Sequence, residues 1–227
     1  MSTPTPTPQP PHPTTIGVLL FPGFQLLDAA GPLDILNILS RTHTLSLSLI
    51  ARTLDPVSTS EALGVAQGSH FAQSLVPTHT FETAPSDLDV LLVPGGLGTR
   101  DEANMQGVVE WLGRVYGGLR WCLTVCTGSV VLARTGVLDG RRATSNKKAF
   151  AWVTQQHPAV NWVPKARWVV DGNTWSSSGV SAGMDLTFAW VAHVFGEDVA
   201  GDIADGMEYE RNMDAGEDRF AERWGAV

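Results

Sequence analysis

The sequence predicts an α/β fold: a mostly parallel sheet sandwiched by helices, with a cysteine nucleophile elbow. Three observations predict it. Continuous apolar runs, which suit strands buried on both faces, alternate along the chain with helical stretches. One such run, Trp121 to Val125, feeds directly into a helical stretch through Cys126 and the small residues Thr127-Gly128-Ser129. The chain of 227 residues, 43% of them hydrophobic, suits one large domain better than two small ones.

The elements follow in order. Residues 1–14 are rich in alternating proline and threonine, which predicts an extended, disordered tail. With no positive n-region and no apolar core, it does not read as a signal peptide. The folded domain is expected over residues 15–210. Ile16 to Phe21 is continuously apolar and reads as a fully buried strand. Pro32 is favourable only in the first turn of a helix, so a helix is expected from about Leu33 to Leu39. Leu45 to Leu49 alternates and suits a half-buried strand nearer an edge. Asp89 to Val93 and Leu119 to Val125 are further central strands. Helices are expected over Asn104–Tyr116, Thr127–Thr135, Lys148–Gln156 and Ala182–Phe195. Trp168 to Trp175 reads as a hairpin turning at Asp171-Gly172-Asn173. Residues 211–227 are charged and read as a surface helix or tail.

Composition narrows the function. The net charge is −8, and basic residues cluster no further than the pairs Arg141-Arg142 and Lys147-Lys148. Nucleic-acid binding, which needs a basic face, is not expected. No apolar run reaches the ~18 residues of a membrane span. Two cysteines four residues apart suggest reduced thiols and a reducing, cytoplasmic compartment. No two histidines share metal-ligand spacing on one helix, and no glycine-rich nucleotide motif follows a strand. Neither a zinc site nor nucleotide binding is expected.

Ligands of such sheets bind beyond the carboxyl ends of the strands, and the candidate residues gather there. Cys126 lies at a strand-to-helix junction, where backbone N–H groups favour a thiolate. It is expected to titrate well below the ~8.5 of free cysteine, whereas Cys122, mid-strand, reads as an inert core residue. Asp28 is a carboxylate among apolar neighbours, in the turn expected before the helix at Pro32. It reads equally as a capping residue or as an acid–base group. Gly95 and Gly96 let backbone N–H groups approach a reacting atom and form an anion-stabilising pocket. Gly179 and Val180 are the other expected substrate- or anion-binding positions, on the loop that opens the Ala182–Phe195 helix. Ser181 reads as that helix's N-cap and Asp185 as a first-turn acid, both structural. No histidine sits next to Cys126, which weighs against a Cys–His protease or amidotransferase.

Taken together, the motifs resemble the ThiJ/PfpI superfamily, within the flavodoxin-like, class I glutamine-amidotransferase-like fold. The marks are Ile16 to Phe21 followed by Asp28 and Gly31-Pro32; Val93-Pro94-Gly95-Gly96; Val125 to Ser129 with Leu132-Ala133, Gly136, Leu138, Gly140 and Ala143-Thr144; and Gly179 with Ala182-Gly183 and Asp185. Within it the pattern is most similar to the isocyanide (isonitrile) hydratases, which carry aspartate as the acid and threonine after the nucleophile. The resemblance implies that Cys126, Asp28 and Thr127 form the catalytic set. Cys126 would attack the terminal carbon of an isocyanide, and Asp28 would deliver a proton and then help activate water. It further implies a small-molecule substrate, no cofactor and a homodimer. The chain departs from the hydratases at Ser145-Asn146-Lys147, where they read Thr-His-Trp, and carries Trp152, Trp168 and Trp175 outside the pattern. These departures are expected around the pocket or the dimer contact. Other readings are a glyoxalase or deglycase acting on 2-oxoaldehydes, a tailoring enzyme of secondary metabolism, and a redox sensor based on Cys126.

Overall fold

A computed structural model describes residues 12–226; the proline-rich stretch over residues 1–11 lies outside them. Seven strands form the main sheet: β1 (Thr15–Leu19), β2 (Ser46–Ala51), β3 (His79–Thr80), β4 (Val90–Val93), β5 (Trp121–Thr124), β6 (Trp168–Asp171) and β7 (Thr174–Ser177). Their order across the sheet is β6-β7-β5-β4-β1-β2-β3. All pairings are parallel except the β6–β7 hairpin at one edge. β1 lies between β2 and β4, with Val18 facing Leu49 on one side and Leu92 on the other. Its burial on both faces explains why its sequence is an unbroken apolar run.

Six longer helices flank the sheet: α1 (Leu26–Leu39), α2 (Val108–Tyr116), α3 (Gly128–Ala133), α4 (Phe150–Gln156), α5 (Ala182–Phe195) and α6 (Glu197–Gly206). α1, α5 and α6 pack on one another, and α2 packs on α3. One principal core runs from Ile16 to Ala204 and includes the buried Phe21, Phe24, Trp111, Phe188 and Trp190. No helix among the described residues is long and apolar enough to cross a membrane.

Three expectations change. First, α1 begins at Leu26 rather than near Pro32, so Asp28 lies in its first turn and Pro32 inside it. Two contacts outweigh the proline. Gln25 N–H donates to the Gly95 carbonyl at 2.8 Å and fixes the entry of the helix. Gly31 lets Met184 of α5 come so close that a Cβ would lie 2.8 Å from its Cγ. Second, the Asn104–Tyr116 helix is two pieces, Glu102–Met105 and α2, parted where Gly107 takes φ +76°. Third, Trp168 and Trp175 are core residues of the hairpin, both buried, rather than pocket or interface groups.

Candidate active site

The loops after β1, β4, β5 and β7 meet at the carboxyl edge of the sheet, together with residues 144–146. Cys126 is the centre. Strand β5 ends at Thr124 and α3 starts at Gly128, so the chain must reverse within three residues. Cys126 accommodates this with φ +57°, a conformation side chains rarely adopt. Its backbone is pinned on both sides. Its N–H donates to the Ser178 carbonyl at 3.0 Å. Its carbonyl accepts from Ser129 Oγ at 3.1 Å and Ser145 Oγ at 2.9 Å. Gly128 is required next, because a Cβ there would lie 2.1 Å from the Val93 carbonyl oxygen.

Asp28 reaches the same point from α1. It is fully buried. Oδ2 accepts from Gly95 N–H at 2.9 Å, while Oδ1 is buried without a conventional hydrogen-bond partner. The Cys126 thiol is close enough to act on this carboxyl, pulling its pKa down. Burial dominates and raises the Asp28 pKa to about 7, against the opposing pull of the Gly95 N–H and the thiol.

Burial also raises the Cys126 pKa, to about 12, and the negative charge of Asp28 adds to the rise. Three donors oppose it without prevailing: the Thr127 and Val180 backbone N–H groups and the Asn146 side chain. The expected low-pKa thiolate is therefore corrected. Helix α3 has only six residues, and its N–H groups do not offset the loss of water and the adjacent carboxylate. The resting pair is a thiol beside a carboxyl poised near neutrality.

The glycine loop differs from expectation too. Gly95 N–H holds Asp28, and Gly96 N–H donates to Thr127 Oγ1 at 3.0 Å. Neither N–H is free for an anion. Thr127 Oγ1 returns a bond to the Gly96 carbonyl at 3.2 Å and accepts from Thr99 Oγ1 at 3.2 Å. Thr127 thus ties the elbow to the glycine loop through its side chain and faces the sulfur through its N–H. Val180 takes φ +40°, an outlier for a β-branched residue, and its N–H is turned to the Cys126 sulfur. Gly179 leaves room for Asn146.

Ser181 occupies the N-cap of α5 but makes no side-chain cap bond. Asp185, 1% exposed, is held by Arg167 Nε at 2.7 Å, Tyr209 Oη at 3.0 Å and Asn212 N–H at 2.9 Å, a structural role. Trp152 carries the Arg100 guanidinium 4.6 Å over its ring. Ser129, which sequence reasoning gave no role in the site, belongs to it, and so do Ser145 and Asn146, which were expected around the pocket or the dimer contact without a role. The signal available was the departure at Ser145-Asn146-Lys147, without a way to tell which residue faced the sulfur.

Comparisons with known proteins bear on the family and the fold. The chain is 34% identical to the isonitrile hydratase of Pseudomonas putida over 196 residues, covering 86% of this chain and 78% of the relative. It is 30% identical to the HTH-type transcriptional regulator GbdR of Pseudomonas aeruginosa over 90% of this chain, which spans only 53% of that regulator. A ThiJ/PfpI family protein from Pseudomonas syringae superposes with a TM-score of 0.72 at 27% identity, over 88% of this chain and 76% of the other. Residues 14–193 match the DJ-1/PfpI family, and on that match, with this fold, the chain belongs to the DJ-1/PfpI family.

Proposed function

We propose that the protein hydrates isocyanides, R–N≡C, to N-substituted formamides. The observation that carries this reading is the buried Asp28–Cys126 pair, a carboxyl that titrates at about 7 in contact with a thiol. Isocyanide hydration needs a nucleophile for the terminal carbon and one proton delivered to that same carbon. As the sulfur bonds to carbon, the S–H bond breaks towards the Asp28 carboxylate, and Asp28 passes the proton to the carbon. The product is the thioimidate Cys126–S–CH=N–R. Asp28 then takes a proton from water as its oxygen adds to the CH carbon and passes that proton to the nitrogen; as the C–S bond breaks, the hydroxyl proton moves through Asp28 to the sulfur, returning the thiol and releasing R–NH–CHO. The sum is isocyanide plus water, with no redox change, so no cofactor is called for. The likeness to an isonitrile hydratase supports the substrate class. The reading extends to a homodimer working in a reducing, cytoplasmic compartment, which suits two free buried cysteines.

The mechanism needs exactly one proton on the pair. Below about pH 7 Asp28 is already protonated and the thiol has no acceptor, so kcat/KM should fall towards acid and rise through about pH 7. The test is to incubate the protein with alkyl and aryl isocyanides and with methylglyoxal, following formamide and lactate. Formamide formation that Cys126→Ser abolishes and Cys122→Ser largely keeps is expected. Lactate alone, or no formamide from any isocyanide, overturns the reading.

A further inference from the structure

We propose that Asn146 is a catalytic residue of this site, its side-chain amide donating to the Cys126 sulfur and stabilising the negative charge that gathers there as the thiol proton leaves. This deepens the proposed function and rests on it for the reaction the sulfur enters, but not for the reactivity of the sulfur itself.

The placement of the amide is fixed from several sides. Ser145 Oγ bonds the Cys126 carbonyl at 2.9 Å, which joins this segment to the elbow. Lys147, buried, sends Nζ to Thr144 Oγ1 at 2.7 Å and to the Ala166 carbonyl at 2.6 Å, which anchors the other side. Asn146 Oδ1 accepts from Ala149 N–H at 3.1 Å. The acceptor end of the amide is therefore committed, and the end left over is the donor, Nδ2. Nδ2 packs against Gly179, where a Cβ would lie 2.5 Å away. Any side chain at 179 would push the amide off its position. Gly179 adjoins Val180, so Nδ2 lies on the sulfur side of the elbow, and the Asn146 side chain pulls the Cys126 pKa down together with the Thr127 and Val180 N–H groups.

The chemistry explains why a third donor matters. The sulfur is out of water and next to a carboxyl, two conditions that disfavour charge on it. Charge must nonetheless pass through sulfur between loss of its proton and formation of the S–C bond. Asp28 cannot stabilise it, since the carboxyl offers only the proton it has just received. Donors that hold still while charge develops act most strongly in such a dry site. Two are backbone groups, fixed by the fold. Asn146 is the one that a side-chain substitution can remove, and it is half-buried rather than sealed in the core.

The test measures alkylation of Cys126 by iodoacetamide in a Cys122→Ser background, alongside isocyanide turnover. Asn146→Ala should slow alkylation about 10- to 100-fold, the range of a hydrogen bond to a charged group. Asn146→Asp keeps the acceptor for Ala149 but replaces the donor with a negative charge, so it should be slower than Asn146→Ala. If Asn146 only caps the turn, Asn146→Asp will alkylate like the parent, and the proposal is overturned. In turnover the loss should fall on kcat, with KM little changed. Should Asn146→Asp not fold, Gly179→Ala displaces the same amide and must slow alkylation likewise; alkylation at the parent rate in folded Gly179→Ala overturns the proposal. If no isocyanide is hydrated but Asn146→Asp is slow to alkylate, the hydratase reading fails and the role of Asn146 stands. If isocyanides are hydrated and both rates are unaltered, the reverse holds.

Discussion

A single carboxyl is central to the proposed chemistry and to part of the stability of this protein. Asp28 has an ordinary value of 3.8 and is raised by burial to about 7 in the fold. The folded state then binds the proton more tightly than the unfolded chain does. The contribution to stability is therefore full below pH 3.8 and is lost as pH rises through about 7. The loss when Asp28 is fully ionised is about 4 kcal/mol in order of magnitude. Asp28→Asn keeps an acceptor for Gly95 N–H and carries no charge to desolvate. Its unfolding free energy should be flatter between pH 4 and pH 7 than the wild type's, and higher at pH 8. Turnover should nevertheless fall by ~10²–10⁴-fold, the usual contribution of a general acid–base group. Denaturant melts at several pH values, with formamide assays on the same samples, check both halves. A variant equally sensitive to pH would mean that Asp28 ionises freely in the folded state, and the proton-sharing mechanism would be wrong.

At the scale of elements, the site is a set of loops held together by close backbone approach. The demand is sharpest at Gly95, where a Cβ would lie 2.5 Å from Thr127 N and 2.9 Å from Gly128 N. Backbone atoms cannot swing aside as a side chain can. Gly95→Ala should separate the glycine loop from the elbow and misalign the N–H that holds Asp28. A destabilisation of ~1–3 kcal/mol is expected, with at least a hundredfold loss of activity from misplacement alone. Gly201, inside α6 with open space around it, is the contrast: Gly201→Ala should stabilise by about 0.5–1 kcal/mol and leave activity alone. Thermal melts and kinetics of the two variants make the comparison. Local sequence reported the elements that obey local rules. The Ala182–Phe195 helix, the hairpin turning at Gly172 and the elbow at Cys126 were all legible from periodicity and turn residues. The start of α1 was not, because the contacts that override Pro32 come from Gly95 and Met184, far away in sequence. The short pieces between residues 57 and 80, a two-residue strand pair, a five-residue helix and the edge strand β3, are too short to carry a period. The position of the thiol could be read, but its acidity could not, since that depends on how much water the folded chain excludes.

At the scale of the whole molecule, the segment beyond Met207 shows how charge composition misleads about packing. Its many acidic and basic residues read as a solvated surface, yet its backbone and a few side chains clasp the domain. Tyr209 Oη and Asn212 N–H both reach Asp185. Asp218 N–H donates to the Lys165 carbonyl at 2.7 Å, and Ala221 and Ala226 bury themselves against Phe150. One path runs from this segment to the nucleophile through backbone hydrogen bonds alone. The Ala215 carbonyl accepts from Arg167 N–H at 2.9 Å, the Arg167 carbonyl from Ser178 N–H at 2.8 Å, and the Ser178 carbonyl from Cys126 N–H at 3.0 Å. Removing the segment takes away the first link and uncovers Asp185. Two variants separate the consequences. Tyr209→Phe deletes one hydrogen bond to a buried carboxylate that keeps its bonds to Arg167 and Asn212, and leaves the path to Cys126 intact. It should cost about 1–2 kcal/mol in denaturant unfolding with near-normal turnover. A chain ended after Met207 should lose more stability. It should also lose activity at temperatures where it is still folded, because the turn that carries Cys126 is no longer braced. Kinetics at low temperature, with circular dichroism to confirm the fold, distinguish the two. A shortened chain that is less stable but fully active would show that the elbow holds its own geometry, and that the segment contributes to stability alone.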